Sequence, residues 1–185
     1  HNVTAFVRSR EKMTTAHDRL RIVRGDVLDG GAGLAEVMRG QDALVSALGR
    51  GMSLKSESLI QRSVPPMLSA MQSQGIQRLV FTSAIGVGET VHHVPLVPRL
   101  MARVPLRNLY ADKVIGEDLI RRSPLAWTIV QPAMLTDGPL TRTYRAGERP
   151  ELRGVPKISR ADTAHFIQAE LEMSRYVRKT VLLAY

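Results

Sequence analysis

The sequence predicts a doubly wound α/β fold built on a parallel sheet, and three observations predict it. Short, mostly apolar runs recur along the chain, as at 43–48, 78–83 and 127–132. Runs of this kind suit strands buried on both faces of a parallel sheet. Helical patterns fill the intervals between them, so strand and helix alternate at the spacing of βαβ units. No internal repeat, low-complexity tract or linker marks a second domain, and residues 1–185 read as one domain.

Taken in order, Val3, Thr4, Ala5, Phe6 and Val7 form a β-prone run that ends in the polar Arg8, Ser9 and Arg10. Residues 20–24 alternate apolar and basic side chains and turn at Gly25 and Asp26. A short helix over 34–38 is approached through Gly30, Gly31, Ala32 and Gly33. The run 43–48 stops at Gly49. A longer helix over 58–74 is interrupted by Pro65 and Pro66, which should kink it or start it afresh. Gly75 is placed to cap its end. The run 78–83 precedes a segment, 89–106, whose three prolines mark it as a loop or lid. A helix over 108–122 carries Leu109, Val114, Ile115 and Leu119, with Pro124 beyond its end. After the strand 127–132, a helix over 159–173 opens with Ser159 and Asp162 three residues apart, as in a capping box. The apolar run 181–184 closes the chain.

Composition narrows the function classes. With 185 residues, 44% of them hydrophobic, the chain can bury one full core. No apolar run reaches the length of a membrane span, and residues 1–4 lack the basic-then-apolar pattern of a secretion signal. The absence of cysteine excludes disulfides, thiolate nucleophiles and cysteine-based metal sites. The expectation is a cytoplasmic protein with no membrane partner. The net charge of +9 is spread over single and paired basic residues, as at Arg121 and Arg122. Aromatic residues, 4% of the chain, are too few for a base-stacking platform, so no nucleic-acid partner is expected. A diffuse positive charge suits a solvated surface or the attraction of small anions. No feature of the sequence specifies an oligomeric state.

In an open parallel sheet, ligands bind outside the carboxyl ends of the strands. The positions to examine are therefore Arg8, Asp26, Gly49, Ser83, Pro132, Ala133 and Met134. The glycines at 30, 31 and 33 follow the wrong strand for a phosphate loop and read as a flexible start to a helix. His92 and His93 lie in the proline-bearing segment without a carboxylate cluster beside them, as surface residues or substrate-loop contacts.

These positions also carry a family resemblance. Asp26-Val27, Ser46-Ala47-Leu48-Gly49, Thr82-Ser83-Ala84, Tyr110-Ala111-Asp112-Lys113 and 127–132 occur in an order that resembles the NmrA-like atypical short-chain dehydrogenases/reductases. With 136–139 and 158–162, the sequence is most similar to the flavin and biliverdin reductase-like branch of that group. The resemblance spans nearly the whole chain. It implies a Rossmann-type fold and NADP(H) as cofactor. It places Arg8 at the adenosine ribose, where a guanidinium favours a 2′-phosphate, with Arg10 and Lys12 nearby; a solvated strand-end charge is the other reading. It places Asp26 at the adenine amino group and Val27 beside the ring, although an aspartate after Gly25 also forms turns. Ala47, Leu48 and Gly49 would border the cofactor, with Gly49 leaving room for close approach.

At the nicotinamide end, the resemblance places Ser83 as a donor to substrate or water, although a strand-end serine also caps backbone groups. Lys113 would bond the nicotinamide ribose, and Pro132, Ala133 and Met134 would shape the pocket. Tyr110 stands three residues before Lys113, not the four of the usual Tyr-x-x-x-Lys pair, so its phenol serves as proton donor or as packing. The implied activity is NADPH-dependent oxidoreduction in which a hydride passes to a flavin, quinone or similar small-molecule acceptor. The alternative is a non-catalytic NADP(H)-binding sensor that regulates a partner protein. A Rossmann domain normally opens with a strand, a glycine-rich loop and a helix, roughly 20–30 residues in all. Here the first run reads as the second strand. The expectation is a Rossmann-type sheet lacking its first strand and phosphate loop in this sequence, within a longer natural polypeptide.

Overall fold

The computed structural model describes residues 1–29, 32–49, 58–93, 107–152 and 154–185. Strands β1 (Val3–Val7) and β2 (Leu20–Arg24) pair in parallel as a two-stranded sheet, with Phe6 opposite Val23. Strands β3 (Ala43–Ser46), β4 (Arg78–Thr82), β5 (Ala126–Pro132), β7 (Arg145–Gly147) and β9 (Lys179–Ala184) form a five-stranded sheet in the order β3-β4-β5-β9-β7. All its pairings are parallel except β7 against β9. A third, small parallel pair joins β6 (Met134–Thr136) to β8 (Lys157–Ser159). The doubly wound α/β architecture is the one the sequence predicts. The antiparallel β7 and the β6–β8 pair are additions, too short and too polar to announce themselves.

Helices cover both faces of the larger sheet. One core layer packs Leu79, Phe81, Trp127 and Ile129 against α1 (Ala32–Met38), α2 (Leu59–Ser73) and α3 (Arg107–Arg122). The other packs Val80, Val130, Val181 and Leu183 against Ile158 and against Phe166 of α4 (Arg160–Met173). Leu79, Val80 and Phe81 are each at most 1% exposed, because consecutive side chains of a central parallel strand point into opposite cores.

One helix expectation is corrected. Pro65 and Pro66 neither break nor restart α2, which runs through them as one helix. Each proline removes one backbone donor, but Ile60, Val64, Met67 and Met71 bury its inner face, and that packing outweighs the lost bonds. Gly75 ends α2 as expected: at φ +70° it lets Ile76 N donate to Met71 O at 2.9 Å and Gly75 N to Gln72 O at 3.2 Å. The buried face of α3 is Asp112, Lys113, Gly116, Glu117 and Ile120, while Leu109, Val114 and Leu119 are half-buried and Ile115 is exposed. The capping box is half formed. Ser159 Oγ accepts from Asp162 N at 2.9 Å, while Tyr185 Oη, not Asp162, accepts from Ser159 N.

Candidate functional site

The carboxyl ends of β3 and β4 present three buried hydroxyls. Ser46 is the last residue of β3, Thr82 the last of β4, and Ser83 follows it. Backbone bonds fix the chain there: Ser83 N donates to Val130 O at 2.7 Å and Ile85 N to Pro132 O at 3.1 Å. Yet Ser46 Oγ, Thr82 Oγ1 and Ser83 Oγ are buried with no hydrogen-bond partner among the described residues. Such a group costs about 1–3 kcal/mol, so three together at one end of a sheet point to a bound partner. Arg78 Nε and Trp127 Nε1 are also unpartnered, but they belong to the opposite, amino-terminal end of β4 and β5.

The polar face of α3 meets this end of the sheet through Glu117, which bonds Gln131 of β5. Asp112 reaches across to α2, where its carboxylate accepts from Ile60 N at 3.0 Å and Gln61 N at 2.8 Å. It caps a helix whose own N-cap residue, Ser58, makes no side-chain cap. Gly116 allows the approach of the two helices, since a Cβ there would collide with Ile60. Lys113 is 8% exposed and forms no hydrogen bond or ion pair with a described residue. Burial pushes its ammonium below the ordinary lysine value, against the attraction of Glu117 and Asp112.

Glu117 is fully buried one turn further on. Its oxygens accept from Gln131 Nε2 at 2.9 Å and Arg121 Nη2 at 2.6 Å. Burial raises its pKa, opposed by the nearby Ser83 hydroxyl, which approaches without a bond of normal geometry, and by Arg121 and Gln131. Gln131 in turn accepts from Thr90 Oγ1 at 2.5 Å, in the 3₁₀ turn Gly88–His93.

The structure therefore gathers Ser83 and Lys113 with the end of β5, where Pro132 and Ala133 are buried and Met134 is 56% exposed. Tyr110 is half-buried, its phenol raised in pKa by burial, with no hydrogen bond to Ser83, Lys113 or any other described residue. Ala47, Leu48 and Gly49 lie just past β3, which stops at Ser46 and not at 48 as the apolar run suggested. A Cβ at Gly49 would meet only open space, so no protein contact requires that glycine. His92 is exposed, and 94–106 lie outside the described residues.

The other candidates sit apart, on the smaller sheet. Arg8 is exposed at the carboxyl end of β1, and Arg10 and Lys12 are exposed in the turn Arg10–Lys12. Asp26 Oδ1 accepts from Leu28 N at 2.9 Å, so the turn-forming reading of this aspartate holds. Val27 is buried beneath it. Asp26 also lines a cleft of about 310 Å³ bounded by Phe6, Val23, Gly25, Glu36 and Val37. None of the candidates on β4, β5 or α3 lines that cleft. Sequence reasoning missed Ser46, Thr82, Glu117 and Gln131. The available signal was polar side chains closing otherwise apolar strands, and Lys113 and Glu117 standing four apart beside a glycine.

The donor set fits the dinucleotide that the family resemblance implies. Unpartnered hydroxyls and a buried ammonium without a hydrogen bond are what a ribose diol and a carboxamide would engage. The comparisons agree. The sequence pattern of the NAD(P)H-binding family matches residues 1–174. A short-chain dehydrogenase/reductase from Veillonella parvula, solved with NADP, superposes with a TM-score of 0.79 at 15% identity, over all of this chain and 82% of that one. An oxidoreductase from Lactococcus lactis gives a TM-score of 0.79 at 18% identity, covering 98% of this chain and 78% of its own. A Rossmann-fold NAD(P)-binding family protein from Shigella flexneri gives 0.71 at 24% identity, covering 97% and 78%. At these identities the solved structures establish a shared Rossmann-like fold. With the family pattern spanning nearly the whole sequence, the chain belongs to the NAD(P)H-binding family.

Proposed function

We propose that the protein is an NADPH-dependent oxidoreductase of the flavin reductase-like, NmrA-like kind, acting on a flat, conjugated acceptor such as a flavin or quinone. The observation that carries this reading is the set of buried, unpartnered hydroxyls at the carboxyl ends of β3 and β4, Ser46, Thr82 and Ser83, together with the buried Lys113 of α3, which forms no hydrogen bond or ion pair with a described residue. Bound NADPH would supply a hydride to the acceptor. Lys113 donates to the ribose hydroxyls and Ser83 to the acceptor or a water, while Pro132 and Ala133 close the pocket floor. Arg8 offers a charge-assisted fork to the 2′-phosphate, and the cleft beside Asp26 suits the adenosine. Met134, Leu135, Leu140 and Val155 are large apolar side chains exposed on and around the β6–β8 pair, a surface suited to a planar acceptor.

The test is steady-state NADPH oxidation by the full-length protein with a panel of flavins and quinones. The expected result is turnover that Ser83→Ala lowers more than it lowers cofactor affinity. The unpartnered phenol of Tyr110 favours a second reading, a non-catalytic NADP(H) sensor. Tight NADPH binding with no acceleration above buffer for any acceptor would select it.

A further inference from the structure

We infer that Glu117 is a positioning residue of the cofactor pocket: one turn along α3 from Lys113, its anchored carboxylate orients the ammonium that receives the cofactor's ribose. The inference rests on the proposed NADPH-binding function and assigns a role to a residue that this reading leaves unused.

A fully buried carboxylate on an interior helix face is costly unless it is well bonded, and α3 could have filled the position with an apolar side chain. Its oxygens are held from two sides, Oε1 by Gln131 on β5 and Oε2 by Arg121 one turn on. Gln131 is itself fixed by Thr90, and its Nε2 also reaches Val87 O at 3.3 Å. The carboxylate thus has a defined place set by β5, α3 and the turn Gly88–His93.

Residues 113 and 117 are four apart, so they lie on one helix face. Asp112, the other anion attracting Lys113, is committed to the N-terminus of α2. Glu117, the stronger of the two attractions on the ammonium, stands one turn along on the lysine's own helix face. A network that served packing alone would close all its bonds. This one leaves two buried groups, Ser83 Oγ and the Lys113 ammonium, without a hydrogen bond among the described residues.

The experiment is a double-mutant cycle on the full-length protein, with NADPH affinity read by fluorescence titration. Glu117→Gln keeps the shape and removes the charge, and should weaken NADPH binding about tenfold. In a Lys113→Met background the same change should have no further effect, because the carboxylate acts through the lysine. Wild-type affinity in the Glu117→Gln protein, or losses that multiply in the double mutant, would overturn the inference. Should Glu117→Gln fail to fold, Gln131→Met loosens the carboxylate while retaining its charge. It should weaken binding about threefold, again only when Lys113 is present, and an unchanged affinity would overturn the inference. If the wild-type protein itself binds no NADPH, the functional reading falls; if it binds and the cycle is additive, only the role of Glu117 does.

Discussion

The two main sheets are built from similar sequence patterns and have different fates. In the five-stranded sheet, β4, β5 and β9 are buried on both faces, and Phe81, Ile129, Val130, Val181 and Leu182 have no exposed surface. In the β1–β2 pair every strand residue is half-buried or exposed, and Val3 is 51% exposed. Apolar composition alone does not bury a strand; neighbours on both edges and both faces do. The division also separates the chemistry. The orphaned hydroxyls and Lys113 belong to the larger sheet and its helix α3, whereas Arg8 and the cleft at Asp26 belong to the smaller one.

The largest expected effect breaks the comparison on the stability side. At the amino-terminal end of the five-stranded sheet, Arg78 and Glu170 form a buried pair at 2.8 Å. Glu170 also accepts from Thr128 Oγ1 at 3.0 Å and Tyr176 N at 3.0 Å. Glu170→Ala strands a buried guanidinium and should cost about 3–5 kcal/mol in denaturant unfolding. Phe81→Ala should cost about the same, from lost contact and the cavity left behind. Phe6→Ala, at a half-buried position on β1, should cost clearly less. Equal losses at 6 and 81 would mean that the smaller sheet is as tightly built as the larger.

Arg8→Asp acts on the other side of the comparison. A charge-assisted bond to phosphate is worth roughly 1.5–3 kcal/mol, or about one to two decades in affinity. The substitution should erase the preference for NADPH over NADH, measured by titrating both cofactors, with stability nearly unchanged because Arg8 is exposed. Equal affinities in the wild type would make Arg8 a solvated charge.

Much of this was legible in the sequence. Alternating apolar runs and helical patterns give the doubly wound fold, because a strand buried on both faces leaves no polar periodicity. Ser83, Lys113 and Pro132 to Met134 were legible from position at strand ends and from the order of motifs. The polar face of α3 was not. The sequence shows Leu109, Val114, Ile115 and Leu119 as the apolar residues of this helix, but the helix turns Asp112, Lys113 and Glu117 inward: a cap on α2, a buried ammonium, an anchored carboxylate. Continuity of α2 through Pro65 and Pro66 was equally hidden, since local propensity opposes what tertiary packing imposes.

Smaller effects sharpen the account of α3. Asp112→Ala removes the cap on α2 and should cost about 1 kcal/mol, seen as a fall of roughly 2–4 °C in Tm. The pH dependence follows from Glu117. Its folded pKa is raised above the ordinary carboxylate value of 4.5, so between the two values the folded chain holds a proton that the unfolded chain has lost. Stability contributed by this group is therefore full below 4.5 and declines as pH rises through the folded value. Glu117→Gln should flatten that decline in a series of melts across the acid-to-neutral range. An unchanged slope would contradict the assignment.

The central claim is that the nicotinamide half of the cofactor rests on the carboxyl ends of β3 and β4. Amide hydrogen exchange of the full-length protein with and without NADPH tests it directly. The account predicts slowed exchange at 46–49, 82–85 and 131–134, with 78–80 and 175–179 at the far end of the same sheet unchanged. Binding without protection at those strand ends, or protection confined to the far end, would contradict it.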